Sequence, residues 1–138
     1  MNEMNRHLRA IEFDKILEML SQRGCNEDSR ESILSLRPET NLNKAQRLLG
    51  MTEDAYIMLA RHGGPSFGGL RNVNNALSRA NAGGVLSMRE LLDIGSTVRA
   101  VRAIREWRQN SGQEDRSIDI YFNSLMPNKY LEDKIFSA

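Results

Sequence analysis

Apolar residues in this chain recur at three- and four-residue intervals from end to end, and almost nowhere do they alternate with polar ones. That spacing constrains the fold more than any other feature, because it lines one face of an α-helix and gives a strand no continuous face. Phe13, Ile16, Leu17 and Leu20 fall at i, i+3, i+4, i+7 on a helix that ends near Gly24. Asn26 stands where a second helix would take its cap; that helix carries Ile33, Leu34 and Leu36, and Pro38 stops it. From Asn41 the pattern predicts the longest helix, over 41–62, in which Leu42, Ala45, Leu49, Thr52, Tyr56 and Leu59 keep a strict 3-4-3-4-3 spacing. Such a seam packs along another helix at a shallow angle. One Thr in the seam and a length under three heptads argue against a free-standing coiled coil, so the expectation is a seam closed within the chain.

Residues 62–70 (HGGPSFGGL) place four glycines and a proline in nine positions, which marks a loop. A short helix over 73–82 follows, with Val73, Ala76, Leu77 and Ala80 on one face, and Gly83-Gly84 ends it. Ser87 and Glu90 have the spacing of a capping box and open a helix over 88–109. Its pattern is different: Val98, Val101, Ile104 and Trp107 recur every three residues, and so do Arg99, Arg102, Arg105 and Arg108. At ~100° per residue a three-residue repeat drifts by about 60° each step, so both stripes wind around the helix. A helix of this kind changes neighbours along its length. Its first turns are expected to pack inside the domain, while Val101, Ile104 and Trp107 meet a surface outside the chain. After a polar linker over 110–116, Ile118, Tyr121, Phe122 and Leu125 form another helical face; Pro127 breaks it, and a last turn or two carries Leu131 and Ile135. The predicted architecture is all-α, an irregular multi-helix bundle of six or seven helices.

With 138 residues the chain allows one ordinary domain, burying roughly two-thirds of its unfolded surface. A single cysteine, Cys25, cannot close an internal disulfide. No apolar run approaches the ~20 residues that span a bilayer, and the first residues lack a signal-peptide hydrophobic region. Hydrophobic residues at 40% and a net charge of +1 exclude intrinsic disorder, so a soluble, cytoplasmic globular piece with no membrane partner is expected. The charge is unevenly spread: residues 1–60 carry −2, residues 61–108 carry +5 and residues 109–138 carry −2. All eight basic residues of the middle stretch are arginines, whose planar fork suits phosphate as well as carboxylate. A nucleic-acid face through Arg99, Arg102, Arg105 and Arg108 is one reading. Pairing of these arginines with acidic neighbours from the flanking segments is the other, and the modest +5 favours it.

Little else suggests chemistry. Gly63 and Gly68 have the outer spacing of a P-loop, but Gly69-Leu70 stand where Lys and Ser or Thr are needed, and no strand precedes them. Cys25, His7 and His62 lack metal-ligand spacing. Cys25 could meet His62 after folding, but its place in a polar interhelical connection is that of an incidental thiol. The carboxylate pairs Glu27-Asp28, Glu53-Asp54, Glu114-Asp115 and Glu132-Asp133 are sequence neighbours pointing about 100° apart on a helix, which reads as solvated surface. Trp107 could stack on a base, although a buried or interface tryptophan is the commoner case. No catalytic, cofactor-binding or metal-ligating residue is assigned.

The ordered string of motifs is more informative than any one of them. Ile11-Glu12-Phe13-Asp14-Lys15-Ile16-Leu17 resembles the opening of the second bacterial MutS paralogue, a MutS-type protein without mismatch-reading domains that typically carries a C-terminal Smr nuclease domain. Ile33-Leu34-Ser35-Leu36-Arg37-Pro38 with Asn41-Leu42 resembles its second block, and Phe67-Gly68-Gly69-Leu70-Arg71-Asn72-Val73 a Gly-Gly block. The most specific stretch is Arg79-Ala80, Gly83-Gly84-Val85-Leu86-Ser87, Glu90-Leu91-Leu92-Asp93-Ile94 and Ser96-Thr97-Val98-Arg99-Ala100. Ser29 departs from the family's usual glycine, and Asn41 and Asn72 from its common aspartates; these positions set caps and turns.

The resemblance implies that residues 1–138 are the N-terminal portion of a MutS-type core (lever) domain, with clamp, ATPase and Smr domains outside the chain. Met1 lies ten residues before the first block, so no mismatch-recognition domain is expected ahead of it. It also implies a homodimeric parent that uses ATP and Mg²⁺, acts on branched DNA or ribosomes, and suppresses recombination or rescues collided ribosomes. This segment, with no cofactor of its own, would couple the ATPase to the clamp and pack against the remainder of its own chain. The alternative is an independent helical nucleic-acid-binding module using the arginines of 61–108.

Overall fold

The computed structural model describes residues 3–137, which contain eight helices and no strand. In chain order they are α1 (Glu3–Ala10), α2 (Phe13–Ser21), α3 (Glu27–Leu34), α4 (Leu42–His62), α5 (Asn74–Asn81), α6 (Met88–Asn110), α7 (Asp119–Ser124) and α8 (Lys129–Phe136). The all-α expectation holds, with one helix more than the periodicity gave. That helix is α1, eight residues whose only large apolar side chains are Met4 and Leu8; among its described side chains Leu8 is half-buried. Glu12, in the left-handed region at φ 52°, ψ 39°, separates α1 from α2 without a glycine. At 23 residues α6, not the 21-residue α4, is the longest helix.

The chain divides into two compact units, Met1–Pro38 and Glu39–Ala138. In the first, α2 packs against both α1 and α3 and buries Leu17. Asn26 caps α3 as expected: its side chain accepts from the Ser29 backbone N–H at 2.8 Å, while the Asn26 N–H donates to Ser29 Oγ. The serine at position 29 is therefore the second half of a capping box. A cavity of about 440 Å³ lies among Leu8, Phe13, Leu17 and Leu34.

In the second unit α6 is the axis. Ser87 and Glu90 form the predicted capping box at its start. Further along, α8 packs so closely that a Cβ added at Gly95 would sit 2.9 Å from Ile135 and 3.0 Å from Phe136. The glycine loop after α4 lies on the same helix: the Arg71 N–H donates to Thr97 Oγ1 at 3.1 Å, and a Cβ at Gly69 would come within 3.1 Å of the Ala100 Cβ. Small residues at these two points let backbone approach helix. The buried apolar residues of the unit are Met58, Ala76, Ile94, Ala100 and Ile104, a small core for a hundred residues.

Helix α4 corrects the sequence reading. Its expected internal seam is open, with Leu42, Leu49, Thr52, Tyr56 and Leu59 all exposed. The face that α4 turns to its own unit is the opposite one. Met58 is buried, and Asp54 accepts hydrogen bonds from the Ser117 backbone N–H (2.7 Å) and Oγ (2.6 Å). The physical reason is length. The seam needs a partner of about five turns, whereas α5, α7 and α8 have six to eight residues, and α6 is occupied by α7 and α8. The chain accordingly exposes 10609 Å². Two independent compact bodies of these sizes would expose roughly 8,600 Å².

Candidate interaction surface

The winding stripes of α6 give each side of this surface its chemistry. Along the arginine stripe, Arg99 Nε donates to Glu132 Oε1 at 3.1 Å, and Arg102 reaches both oxygens of the same carboxylate at 2.9 Å. Arg99 also lies over the Phe136 ring, 3.9 Å from its centroid. One step on, Arg105 donates to the backbone carbonyls of Phe122, Asn123 and Leu125 at the end of α7. Arg108 grips Asp119 at the start of α7 in a two-point pair, 2.5 and 2.7 Å, and donates to the carbonyls of Gly112 and Glu114. The drift of the stripe thus hands the helix from α8 to α7. Both neighbours lie in the acidic segment after residue 109, the source that the charge distribution pointed to.

Glu132 overturns one expectation. Its place beside Asp133 reads as solvated surface, yet Glu132 is buried, 3% exposed, between two guanidinium groups. The hydrogen bonds from Arg102, aided by Arg99, hold its carboxyl down to about 2 against the opposing effect of burial. Asp54 leaves that class too, since Ser117 and then Arg116 hold its carboxyl below the usual range. Asp119 is lowered chiefly by Arg108. The Arg108–Asp119 pair spans 11 positions, whereas the partners of Glu132 lie 30 and 33 positions away and those of Asp54 62 and 63, and no local pattern announces these longer pairings.

The apolar stripe faces elsewhere. Ile104 is buried, and Val101 and Trp107 are half-buried. Trp107 packs against Phe122 of α7 with ring centroids 5.8 Å apart and planes tilted by 39°. All three line an apolar cleft of about 570 Å³, whose other walls include Met58 and Leu59 of α4, Phe67 and Leu70 of the loop, and Tyr121 of α7. The glycine loop, which has no P-loop lysine, forms a wall of this cleft. Among the described residues there is no cluster of three His, Cys, Asp or Glu side chains that could hold a metal ion. No helix of the described residues is long and apolar enough to cross a membrane.

Fold and surface together define an all-helical segment whose α6 arginines are internally paired and whose apolar cleft is open. No family model matches the sequence. No solved structure matches it either. Among curated proteins, Endonuclease MutS2 of Acetivibrio thermocellus is 32% identical over 141 residues, covering 100% of this chain and 18% of that protein. Endonuclease MutS2 of Halothermothrix orenii is 33% identical over 136 residues, covering 93% of this chain and 17% of its own length. That of Ruminiclostridium cellulolyticum is 33% identical over 129 residues, 92% of this chain and 16% of its own. The chain is a MutS2-related segment, and it spans less than a fifth of the length of the relatives it matches.

Proposed function

We propose that the chain is a non-catalytic part of a MutS-type core (lever), its N-terminal portion, in a longer protein that hydrolyses ATP with Mg²⁺ and engages branched DNA or ribosomes. One observation carries this reading: the cleft around Val101, Ile104 and Trp107 is lined almost wholly by apolar groups and open on a unit with a small core. Open apolar surface of this size marks a place for a partner. The remainder of the same protein is the partner proposed for it. Helix α6 suits a coupling role. Its arginines tie it to α7 and α8 by charge-assisted bonds, so displacement at the cleft moves a rod with both helices attached. The relation to MutS2 endonucleases supplies the rest, as analogy.

The test starts with the reading frame beyond codon 138. A P-loop several hundred residues on, followed by an Smr domain, is expected; a frame with neither overturns the reading. In the full-length product Val101→Asp is expected to abolish stimulation of ATP hydrolysis by branched DNA or ribosomes. Undiminished stimulation would refute the coupling role.

A further inference from the structure

Helix α6 carries two short helices and holds them in different ways. Helix α8 is interlocked with it. Glu132 is buried between Arg99 and Arg102, and Ile135 and Phe136 pack against Gly95 so closely that a Cβ there would collide with both. Helix α7 is only latched. None of its six residues is buried, no side chain caps its start, and Ile120 and Tyr121 are 67% and 61% exposed. A helix this short has no stability of its own in water, because too few residues follow the costly first turn. What fixes it comes from α6.

The latch has two points. Arg108 pairs with Asp119 at the start of α7, close to Ser117, which Asp54 of α4 pins. One turn back along α6, Arg105 donates to the carbonyls of Phe122, Asn123 and Leu125 at 3.1, 3.2 and 2.8 Å. The last carbonyls of a helix have no partner within it. Arg105 therefore holds α7 by its helix end, and the grip lapses when that turn unwinds. Residues 118–126 thus run between two fixed points, Ser117 on α4 and α8 on α6, with Arg105 holding the stretch between them. Beneath them lies Trp107, packed on Phe122, and Ile118, Tyr121, Phe122 and Leu125 form one wall of the cleft.

We propose that residues 118–126 are a strap over the apolar stripe of α6, which releases while the rest of the unit stays folded, and that Arg105 is its latch. Local opening costs least where few buried apolar contacts are broken, and α7 has the fewest to break. Release removes one wall of the cleft and uncovers Trp107, so the cleft admits an occupant larger than its closed volume of about 570 Å³. Closed, the strap travels with α6 as the coupling role requires. What the open cleft admits rests on its reading as a partner's seat. Release itself rests on α6 and α7 alone, so a strap that fails to open leaves that reading standing.

Amide exchange of the 138-residue chain under native conditions is expected to be about tenfold or more faster at 122–125 of α7 than at 133–136 of α8. Arg105→Met should widen that ratio by about another tenfold. Trp107 is the chain's only tryptophan, and its quenching by acrylamide should rise with the same substitution. Equal exchange in the two helices, or equal acceleration of both by Arg105→Met, would mean that α7 opens only with the whole unit. Faster exchange at 122–125 with unchanged quenching of Trp107 would mean that α7 unwinds in place without leaving α6. Each of these results overturns the strap.

Discussion

The two long helices invert what their sequences promise. Helix α4 has a regular seam and is mostly exposed along it; α6 has no constant face and carries the unit. A clean amphipathic stripe specifies one straight partner, and when the other long helix, α6, is taken up by α7 and α8 the stripe stays open. A winding stripe can be satisfied piecemeal by short helices, each covering the face that α6 turns toward it at that level. Regular spacing therefore reports the geometry of a partner, while burial depends on whether that partner is present. Five substitutions sharpen this contrast, in descending order of effect.

The largest effect belongs to Ile104, 4% exposed in the C-terminal half of α6. Ile104→Ala removes buried methyl groups beside a cleft that collapse cannot fill, and about 2–4 kcal/mol of stability should be lost in urea unfolding. A loss below 1 kcal/mol would mean that α6 is not the axis of the unit.

Next comes Glu132, through which α8 is held to α6. Glu132→Gln leaves Arg102 and Arg99 facing a neutral amide that cannot accept on both sides, and should cost about 2 kcal/mol at pH 7. The pH dependence follows from the sign of the shift. The folded carboxyl, held at about 2, lies below the unfolded value of about 4.3. Its contribution is thus complete above that unfolded value and fades as pH falls toward 2. The difference between wild type and variant should shrink across this window; a constant difference from pH 7 to pH 2 would show that the carboxylate charge is not what Arg102 holds.

How much of this was legible beforehand divides along sequence separation. Caps are local, and Asn26, Asn41 and the Ser87–Glu90 box stand where the residue pattern put them. Helices with three or more apolar residues on one face were equally visible. The Arg102–Glu132 and Asp54–Ser117 contacts were not, because they depend on how short helices return to a long one across 30 and 63 positions. The arginine-rich middle and acidic end did point to pairing between these regions, without naming the residues. For the cleft, the three-residue repeat of Val101, Ile104 and Trp107 singled out one wall. Tyr121 and Leu59 on the facing walls carried no such mark.

A smaller effect tests the legible part. Ser87→Ala removes the hydroxyl that accepts from the Glu90 N–H, while the Ser87 backbone N–H can still donate to Glu90. About 1 kcal/mol should be lost, since the cap opens the unit's axis. Asn41→Ala, at the start of the exposed α4, should lower global stability by less, because fraying there uncovers no core.

The smallest expected effect is the most informative about α4. Leu49 is a large apolar residue at the middle of the most regular stripe in the sequence, and by pattern alone its loss should resemble that of Ile104. In the single chain its side chain contacts mainly solvent, so Leu49→Ala should change monomer stability by no more than about 0.5 kcal/mol at low protein concentration. Alanine's higher helix propensity partly offsets whatever contact is removed. Measured by urea unfolding at low micromolar concentration, the same substitution separates the two helices physically. A cost of several kcal/mol would instead mean that the chain closes the α4 seam on itself, and the contrast between the two helices would disappear.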